Sequence, residues 1–203
     1  MTLTEQHKEI SDCPIHLIRA AASTGPTLVF LHGMKFNAAT WRDLGTLATL
    51  VREGYGVVAL DLPGFGESPA CDRSPLTILK ELISDLKLDR PILVGPSMGG
   101  KVALEFALAH AELVGGLILV GAVGVEERRK QLADIKVPTL VVWGSEDAIS
   151  PLANAHLLAE QIPDASLVLV QGAPHPCYLD QPDIWHWEVT SFLAEHFGTA
   201  QKK

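Results

Sequence analysis

The chain has 203 residues, of which 47% are hydrophobic and 20% are charged, and its formal net charge is -8. This length predicts one domain over residues 1–203 with a well-buried core. The acidic balance argues against a nucleic-acid surface, which would need clustered Lys and Arg. No apolar run reaches the roughly 20 residues that span a bilayer, so we also expect no membrane partner.

The first residues and the cysteine count indicate in which cellular compartment the protein is expected. The opening segment, MTLTEQHK, lacks the basic and apolar regions of a secretion signal, and three cysteines cannot all pair with one another. We therefore predict a cytoplasmic protein in a reducing environment. Residues 198–203 are expected to form a frayed tail.

Short apolar runs alternate with helix-length amphipathic segments along the chain. The predicted strands are 5–11, 15–20, 27–31, 57–60, 91–95, 116–120, 139–143 and 166–170. The predicted helices are 40–53, 76–86, 98–110, 126–133, 151–161 and 184–197. The first two strands are expected to form an antiparallel hairpin, whereas the later ones are continuous and apolar, as in strands covered on both faces. This alternation predicts the α/β class: a mostly parallel, doubly wound sheet with helices on both faces.

The most informative stretch is Gly95-Pro-Ser97-Met-Gly99, which joins a predicted strand to a predicted helix. A strand, a sharp turn and a helix would lift the Ser97 hydroxyl to the edge of the sheet, above a helix N-terminus. Glycine is required at positions 95 and 99 because a side chain there would collide with the neighbouring strand or helix. The stretch therefore predicts a nucleophile elbow with Ser97 as the nucleophile.

A serine hydroxyl needs a base to remove its proton, and that base needs a carboxylate to orient it. After an elbow of this kind, the acid and then the histidine follow along the chain, each in a loop after a later strand. His175 lies in the loop after strand 166–170 and is the predicted base. The other downstream histidines fall inside predicted helices: His156, His186 and His196.

The loop after strand 139–143 carries two candidate acids, Glu146 and Asp147. Asp147 is the predicted acid because it stands three residues after Gly144, and Glu146 is the alternative. Asp61 also follows a strand, but it precedes the serine in the chain. We interpret Asp61 as the residue that holds the glycine-rich turn 61–68.

The tetrahedral oxyanion needs backbone N–H donors, which we assign to Met34 and Met98. Met98 follows the nucleophile, and Met34 follows His32 and Gly33 at the exit of strand 27–31. The two methionine side chains would shape the acyl pocket. We interpret His32 as a residue that braces this loop through a hydrogen bond.

Four further residues lie beside the predicted catalytic loops and are candidates for the substrate pocket: Lys35, Phe36, Cys177 and Tyr178. Cys177 could replace Ser97 as the nucleophile, but it lacks an elbow of its own. Lys35 could contact an anionic acyl acceptor such as a coenzyme A phosphate, although an exposed lysine without a partner is the simpler interpretation. We expect no metal and no required cofactor.

The segment between strands 116–120 and 139–143 has room only for one crossover helix. Many hydrolases insert a helical cap at this point. We therefore expect no cap domain and an open cleft that can admit an acyl group displayed on a large molecule.

Four segments together are more specific than the elbow. They are LHGMKFNAATWRDLGTL at 31–47, GY at 54–55 with ALDLPGFGES at 59–68, the elbow with Pro96, and GAPHPCYLDQP at 172–182 followed by Trp185 and His186. This pattern closely resembles the small cap-less α/β-hydrolases called CCG1-interacting factor B, the alpha/beta hydrolase domain-containing protein fourteen group. The resemblance covers nearly all of the chain from 28 to 193.

The resemblance implies an α/β-hydrolase fold with a triad at Ser97, Asp147 and His175. It also implies hydrolysis of short acyl esters and, as in the animal member, lysine deacetylation with coenzyme A as acyl acceptor. The leading hypothesis is a serine esterase or acyltransferase that acts on a small acyl ester or an acetylated substrate. The alternatives are a protein-interaction module that keeps the fold and binds a protein partner, and a cofactor-free perhydrolase.

Overall fold

The computed structural model describes residues 2–22 and 25–198. Residues 199–203 of the predicted frayed tail lie outside the described residues. The strands are β1 (Thr4–Ile10), β2 (Cys13–Ala20), β3 (Thr27–Phe30), β4 (Gly56–Leu60), β5 (Ile92–Pro96), β6 (Gly116–Val120), β7 (Thr139–Gly144) and β8 (Ala165–Val170). The helices are α1 (Ala38–Asp43), α2 (Thr46–Arg52), α3 (Pro75–Asp85), α4 (Met98–Ala109), α5 (Leu152–Gln161), α6 (Cys177–Asp180) and α7 (Pro182–Phe197).

The strands form one sheet in the order β1-β2-β4-β3-β5-β6-β7-β8. β1 pairs antiparallel with β2, and β2 pairs antiparallel with β4. All pairs from β4 to β8 across the sheet are parallel. The predicted hairpin and the predicted parallel sheet are both confirmed.

Helices cover both faces of the sheet, which gives three layers. On one face the apolar cluster includes Ile78 of α3, Phe106 of α4 and Leu158 of α5. On the other face it includes Trp41 of α1 and Trp185 of α7. Strands β4 to β7 are buried along their whole length, which explains why their sequences show no apolar and polar alternation.

The helices differ from the prediction in three places. The single helix predicted over 40–53 is two helices, because Gly45 takes a φ of +84° and ends α1 before α2 begins. The crossover predicted as an α-helix over 126–133 is a 3-10 segment, Glu126–Asp134, which buries only Leu132. The short helix α6 was not predicted, because its four residues are too few to show a helical period.

Between β6 and β7 the described chain contains only the 3-10 segment and its flanking loops, so no cap domain covers this edge of the sheet. Among the described residues, no helix is both long enough and apolar enough to cross a bilayer.

A disulfide joins Cys13 to Cys71 across 58 positions of sequence. It ties the start of β2 to the segment that precedes α3. The odd cysteine count was therefore a poor guide to reduced thiols, because two of the three cysteines pair. The cytoplasmic location stays a prediction.

Candidate active site

The elbow between β5 and α4 is sterically tight. Ser97 has φ +51° and ψ -114°, a conformation that non-glycine residues rarely adopt. A Cβ on Gly95 would lie 2.3 Å from the carbonyl oxygen of Gly99, and a Cβ on Gly99 would lie 2.8 Å from that of His32. Both positions therefore require glycine, for the steric reason that the motif implies.

The structure brings His175 and Asp147 together at the carboxyl ends of β8 and β7. His175 Nδ1 lies 2.7 Å from Asp147 Oδ2. The other carboxylate oxygen accepts the N–H groups of Ile149 and Ser150, each at 2.8 Å. The Asp147 side chain is fully buried, whereas the alternative acid, Glu146, is exposed. The geometry thus selects Asp147 as the partner of the histidine.

These hydrogen bonds assign the proton on the His175 ring. A carboxylate oxygen accepts, so Nδ1 carries the proton and Nε2 keeps its lone pair. Nε2 is buried and has no hydrogen-bond partner among the residues that the structure describes. Ser97 and His175 line the same cavity. A serine and histidine that are not yet hydrogen-bonded are common in substrate-free enzymes.

The cavity has a volume of about 420 Å3, within the range of about 300–1,000 Å3 typical of small-molecule sites. It is lined mainly by apolar groups: Gly33, Met34, Lys35, Phe36, Pro96, Ser97, Met98, Val120, Val123, Ile149, His175, Pro176 and Tyr178. Met34 and Ile149 are the most open of its apolar side chains, at 67% and 65% exposure. Three of the four candidate pocket residues, Lys35, Phe36 and Tyr178, therefore lie where the sequence predicts.

The fourth candidate, Cys177, does not line the cavity, which corrects the sequence prediction. Its side chain is fully buried on α6. Burial, with a smaller contribution from the Asp147 charge, raises the pKa of this thiol to about 12. A thiol with that pKa stays protonated near neutral pH, which argues against Cys177 as a nucleophile.

The two residues proposed as oxyanion donors line the same cavity as Ser97. Met98 is the first residue of α4, so its backbone N–H belongs to the helical turn that has no acceptor within the helix. Met34 follows Gly33 in a turn closed by a 3.0 Å bond from the Phe36 N–H to the Gly33 carbonyl. Both methionines line the cavity.

His32 braces the loop that carries Met34. The Leu62 N–H donates to His32 Nε2 at 3.1 Å, so Nδ1 carries the proton and donates to the Gly33 carbonyl at 2.9 Å. Burial lowers the pKa of His32, which favours the neutral ring that these two bonds require. The bracing role predicted from the sequence matches these contacts.

Asp61 holds the glycine-rich turn, as predicted. Its Oδ2 accepts the Glu67 N–H at 2.9 Å, and its backbone carbonyl accepts the Ser68 hydroxyl at 2.8 Å. Asp61 Oδ1 also accepts the N–H of Ala38 at the start of α1, at 2.6 Å. The buried Asp61 carboxylate thereby connects the glycine-rich turn to the start of α1.

Gly121, which follows β6, was not predicted as a site residue. Its φ is +50°, and a Cβ there would lie 3.0 Å from Asp147 Oδ2 and 3.1 Å from His175 Nδ1. Because glycine has no side chain, the Asp147 carboxylate and the His175 imidazole have room to lie side by side against Gly121. The only sequence signal is a glycine at the end of the strand next to β5, which does not by itself indicate a role.

Comparisons with known proteins agree with this geometry. The chain matches the model of the alpha/beta hydrolase family over residues 28–131 and that of TAP-like proteins over 122–198. It is 35% identical over 177 residues to rat ABHD14B, which is named as a candidate protein-lysine deacylase, with 83% of each chain covered. It is 37% identical over 174 residues to zebrafish ABHD14A, with 83% of this chain and 64% of that protein covered.

A structural relative shows the same architecture at full length. The crystal structure of a CIB-like hydrolase from Thermoplasma acidophilum superposes with a TM-score of 0.90 at 27% identity. The match covers 96% of this chain and 99% of the other. The chain is therefore a member of the alpha/beta hydrolase family, within the group that includes ABHD14A and ABHD14B.

Proposed function

We propose that this protein is a serine hydrolase that removes short acyl groups from esters or acylated lysines through an acyl intermediate on Ser97. The observation that supports the proposal most directly is the buried bond between Asp147 and His175. It leaves the free Nε2 lone pair in the cavity that Ser97 also lines.

In the proposed reaction, Ser97 Oγ attacks the acyl carbonyl carbon while His175 Nε2 takes the hydroxyl proton. The imidazolium ion that forms is stabilised by the buried Asp147 carboxylate. His175 then returns the proton to the leaving alcohol or amine, and an acyl ester remains on Ser97. Water, deprotonated by His175, hydrolyses that ester and restores the serine.

The negative charge on the carbonyl oxygen develops between the elbow and the loop after β3. We assign its stabilisation to the backbone N–H groups of Met34 and Met98. Preorganised donors of this kind commonly provide about 3–4 kcal/mol each when tested by mutation. The N-terminus of α4 adds a favourable dipole, because the helix runs away from Ser97.

The cavity supports an apolar acyl group as substrate. Its walls are mainly aliphatic, aromatic and thioether groups, and no cap covers it in the described chain. An acyl chain could lie against Phe36 and Tyr178 while the rest of the substrate stays outside. The name of rat ABHD14B as a candidate protein-lysine deacylase is consistent with an acyl group presented on a large molecule.

Coenzyme A is the alternative acyl acceptor. Lys35 is exposed where it lines the cavity and could approach an acceptor phosphate. Assays of acetyl and longer acyl donors, each with and without coenzyme A, separate the two acceptors. Formation of acyl-coenzyme A with faster release of the first product would identify a transferase. Equal rates with only free acid as product would identify water as the acceptor.

The decisive test of the nucleophile is labelling with a fluorophosphonate, followed by intact mass and peptide mapping. We expect one adduct per chain, on Ser97, and a burst of p-nitrophenol from p-nitrophenyl acetate. Ser97→Ala should abolish both signals. Ser166→Ala, which removes an exposed hydroxyl on β8, is the matched control and should behave as the wild type.

Two results would contradict the proposal. A chain that stays unlabelled while correctly folded would support a binding module that retains the fold. Labelling at Ser97 without ester turnover, but with turnover of acetate and peroxide, would support a perhydrolase.

A further inference from the structure

A second group of polar side chains lies on the β1–β2 hairpin, outside the catalytic cavity. Residues at alternate positions of a strand share one face, so Glu5 and His7 point to the same side of β1. His7 is paired directly with His16 of β2, and their ring centroids lie 5.2 Å apart. Glu67 reaches the same place from the glycine-rich turn after β4. We call Glu5, His16 and Glu67 the hairpin cluster.

The orientation of His16 is fixed from behind by Asp61. His16 Nδ1 lies 2.9 Å from Asp61 Oδ2, and that carboxylate also accepts the N–H groups of Ala38 and Glu67. Because the carboxylate accepts, the proton lies on Nδ1 and the lone pair on Nε2. The backbone of His16 is held as well, since its N–H donates to Ser68 Oγ at 2.9 Å.

His16 Nε2 points into the hairpin cluster without a hydrogen bond. The residue is only 2% exposed, and this nitrogen has no hydrogen-bond partner in the part of the chain that the structure describes. The atom nearest to it in the cluster is an acceptor, Glu5 Oε1 at 3.2 Å. A lone pair that faces a carboxylate gains nothing from it, so the arrangement favours a cation at this place, either a proton on Nε2 or a metal ion shared with Glu5.

The potential ligand atoms of the hairpin cluster lie close together. One ligand atom from each member of the hairpin cluster lies within 4.8 Å of the others. Glu5 is held on its other side by Arg42 Nη1, at 3.0 Å and 3.2 Å from its two oxygens, so one guanidinium offsets part of the acidic charge. Arg42 also pairs with Asp43, so the carboxylates of Glu5, Asp61 and Glu67 leave an excess of negative charge at the hairpin cluster, which favours a cation there.

We propose that the hairpin cluster binds a divalent transition-metal ion of the zinc class through His16 Nε2 and the carboxylates of Glu5 and Glu67. A nitrogen and two oxygens suit zinc better than magnesium or calcium, which prefer oxygen ligands alone. A carboxylate that orients a ligating histidine from its far nitrogen is the usual outer-shell partner of such sites. His7, whose Nε2 lies 3.6 Å from Glu67 Oε2, could supply a further ligand.

The site is expected to stabilise the fold rather than take part in the chemistry at Ser97. None of its residues lines the catalytic cavity. The ion would join β1, β2 and the turn after β4, and through Asp61 it would connect to the start of α1. This inference does not depend on the proposed hydrolase activity.

The experiment is zinc titration of the metal-free protein by calorimetry, with native mass spectrometry for stoichiometry. We expect one saturable zinc ion per chain, and an increase in the thermal midpoint of about 5–10 °C when zinc is about 100 times the dissociation constant. Glu67→Gln should weaken binding by at least about 10-fold. The matched control is Glu112→Gln, which removes one exposed negative charge elsewhere and should bind zinc as the wild type does.

Binding that is absent, or that is equally tight in Glu67→Gln, would overturn the proposal. Because a change at the buried His16 could disturb folding, that ring is tested in the wild type by its 15N chemical shifts. We expect zinc to shift Nε2 and leave Nδ1 protonated. A ring that carries protons on both nitrogens and does not respond to zinc would show that a proton, not a metal, occupies this place.

Discussion

Asp147 is held by three hydrogen bonds, two from backbone N–H groups and one from His175. This network fixes the ring tautomer before substrate arrives, so little reorganisation is needed when the imidazole becomes charged. Ser97 is fixed differently, by a backbone conformation that its neighbours at 95 and 99 permit only as glycines. Ser97 is therefore positioned by the local backbone, whereas Asp147 and His175 also position each other through their hydrogen bond.

Replacement of Ser97 or His175 by Ala should each reduce kcat for p-nitrophenyl acetate by at least about 1,000-fold, because the two side chains act as one unit. The double variant should lose little more than either single variant. Steady-state kinetics of the three variants provide the measurement. Losses that multiply in the double variant would contradict a shared role.

Gly121→Ala should reduce kcat by displacing the carboxylate and imidazole that its new Cβ would meet at 3.0 and 3.1 Å. The matched control is Gly45→Ala, which has the same kind of positive φ but nothing within 4 Å of its added Cβ. Both variants should lose about 1–2 kcal/mol of stability from the left-handed backbone. Only Gly121→Ala should lose activity, and equal kcat values in the two variants would contradict the role of Gly121.

Acidification should reduce the free energy of unfolding through His32. Burial lowers its pKa in the folded protein, so the unfolded chain binds the proton more readily. The stabilisation is complete above the unfolded pKa of about 6.5 and is lost as the pH falls towards the lower folded value. Urea unfolding at pH 7.5 and 5.5 measures the change. His186, whose pKa is also lowered by burial, contributes in the same direction.

His32→Gln isolates the contribution of this ring. The variant should be less stable than the wild type at pH 7.5, because two hydrogen bonds change, but it should lose less stability between pH 7.5 and 5.5. An unchanged loss over that interval would assign the acid sensitivity to other groups.

Among the elements, strands β3 to β8 were predictable because each is a short apolar run, and β4 to β7 are buried along their whole length. Their ends differ from the predicted limits by at most one residue. The helices were less regular. Gly45 interrupts a segment whose apolar positions keep a helical period on both sides, so the break depends on one residue's φ. The crossover Glu126–Asp134 is mainly polar and buries one leucine, so its pattern did not separate a 3-10 segment from an α-helix.

The disulfide connects two elements that the sequence could not pair. Cys13→Ser with Cys71→Ser should cost about 2–4 kcal/mol of unfolding free energy, because the unfolded chain regains a loop of 58 positions. Thermal unfolding with and without a reductant provides the check. Reductant should lower the wild-type midpoint and leave that of the double variant unchanged, and a wild type that does not respond to reduction would contradict the bond.

For the molecule as a whole, the sequence was sufficient to predict site residues that belong to a motif or that occur in the expected order along the chain. Ser97, Asp147 and His175 are of this kind, since each lies in the segment that follows a strand of the parallel sheet. Contacts between segments that are far apart in the sequence could not be predicted. Gly121 depends on its approach to two residues much later in the chain, and the hairpin cluster combines β1, β2 and a turn about 50 residues further on. Such contacts are set by the packing of the finished sheet.

The missing cap has a consequence for inhibitor design. Where a helical domain closes over the nucleophile, a reagent must first fit beneath it, and bulk on the leaving group is penalised. Here exposed side chains such as Met34 and Ile149 line the cavity, so a covalent reagent can carry its large substituent into solvent. An inhibitor should therefore gain selectivity for this protein over hydrolases with a cap domain when its leaving group, rather than its acyl group, is enlarged.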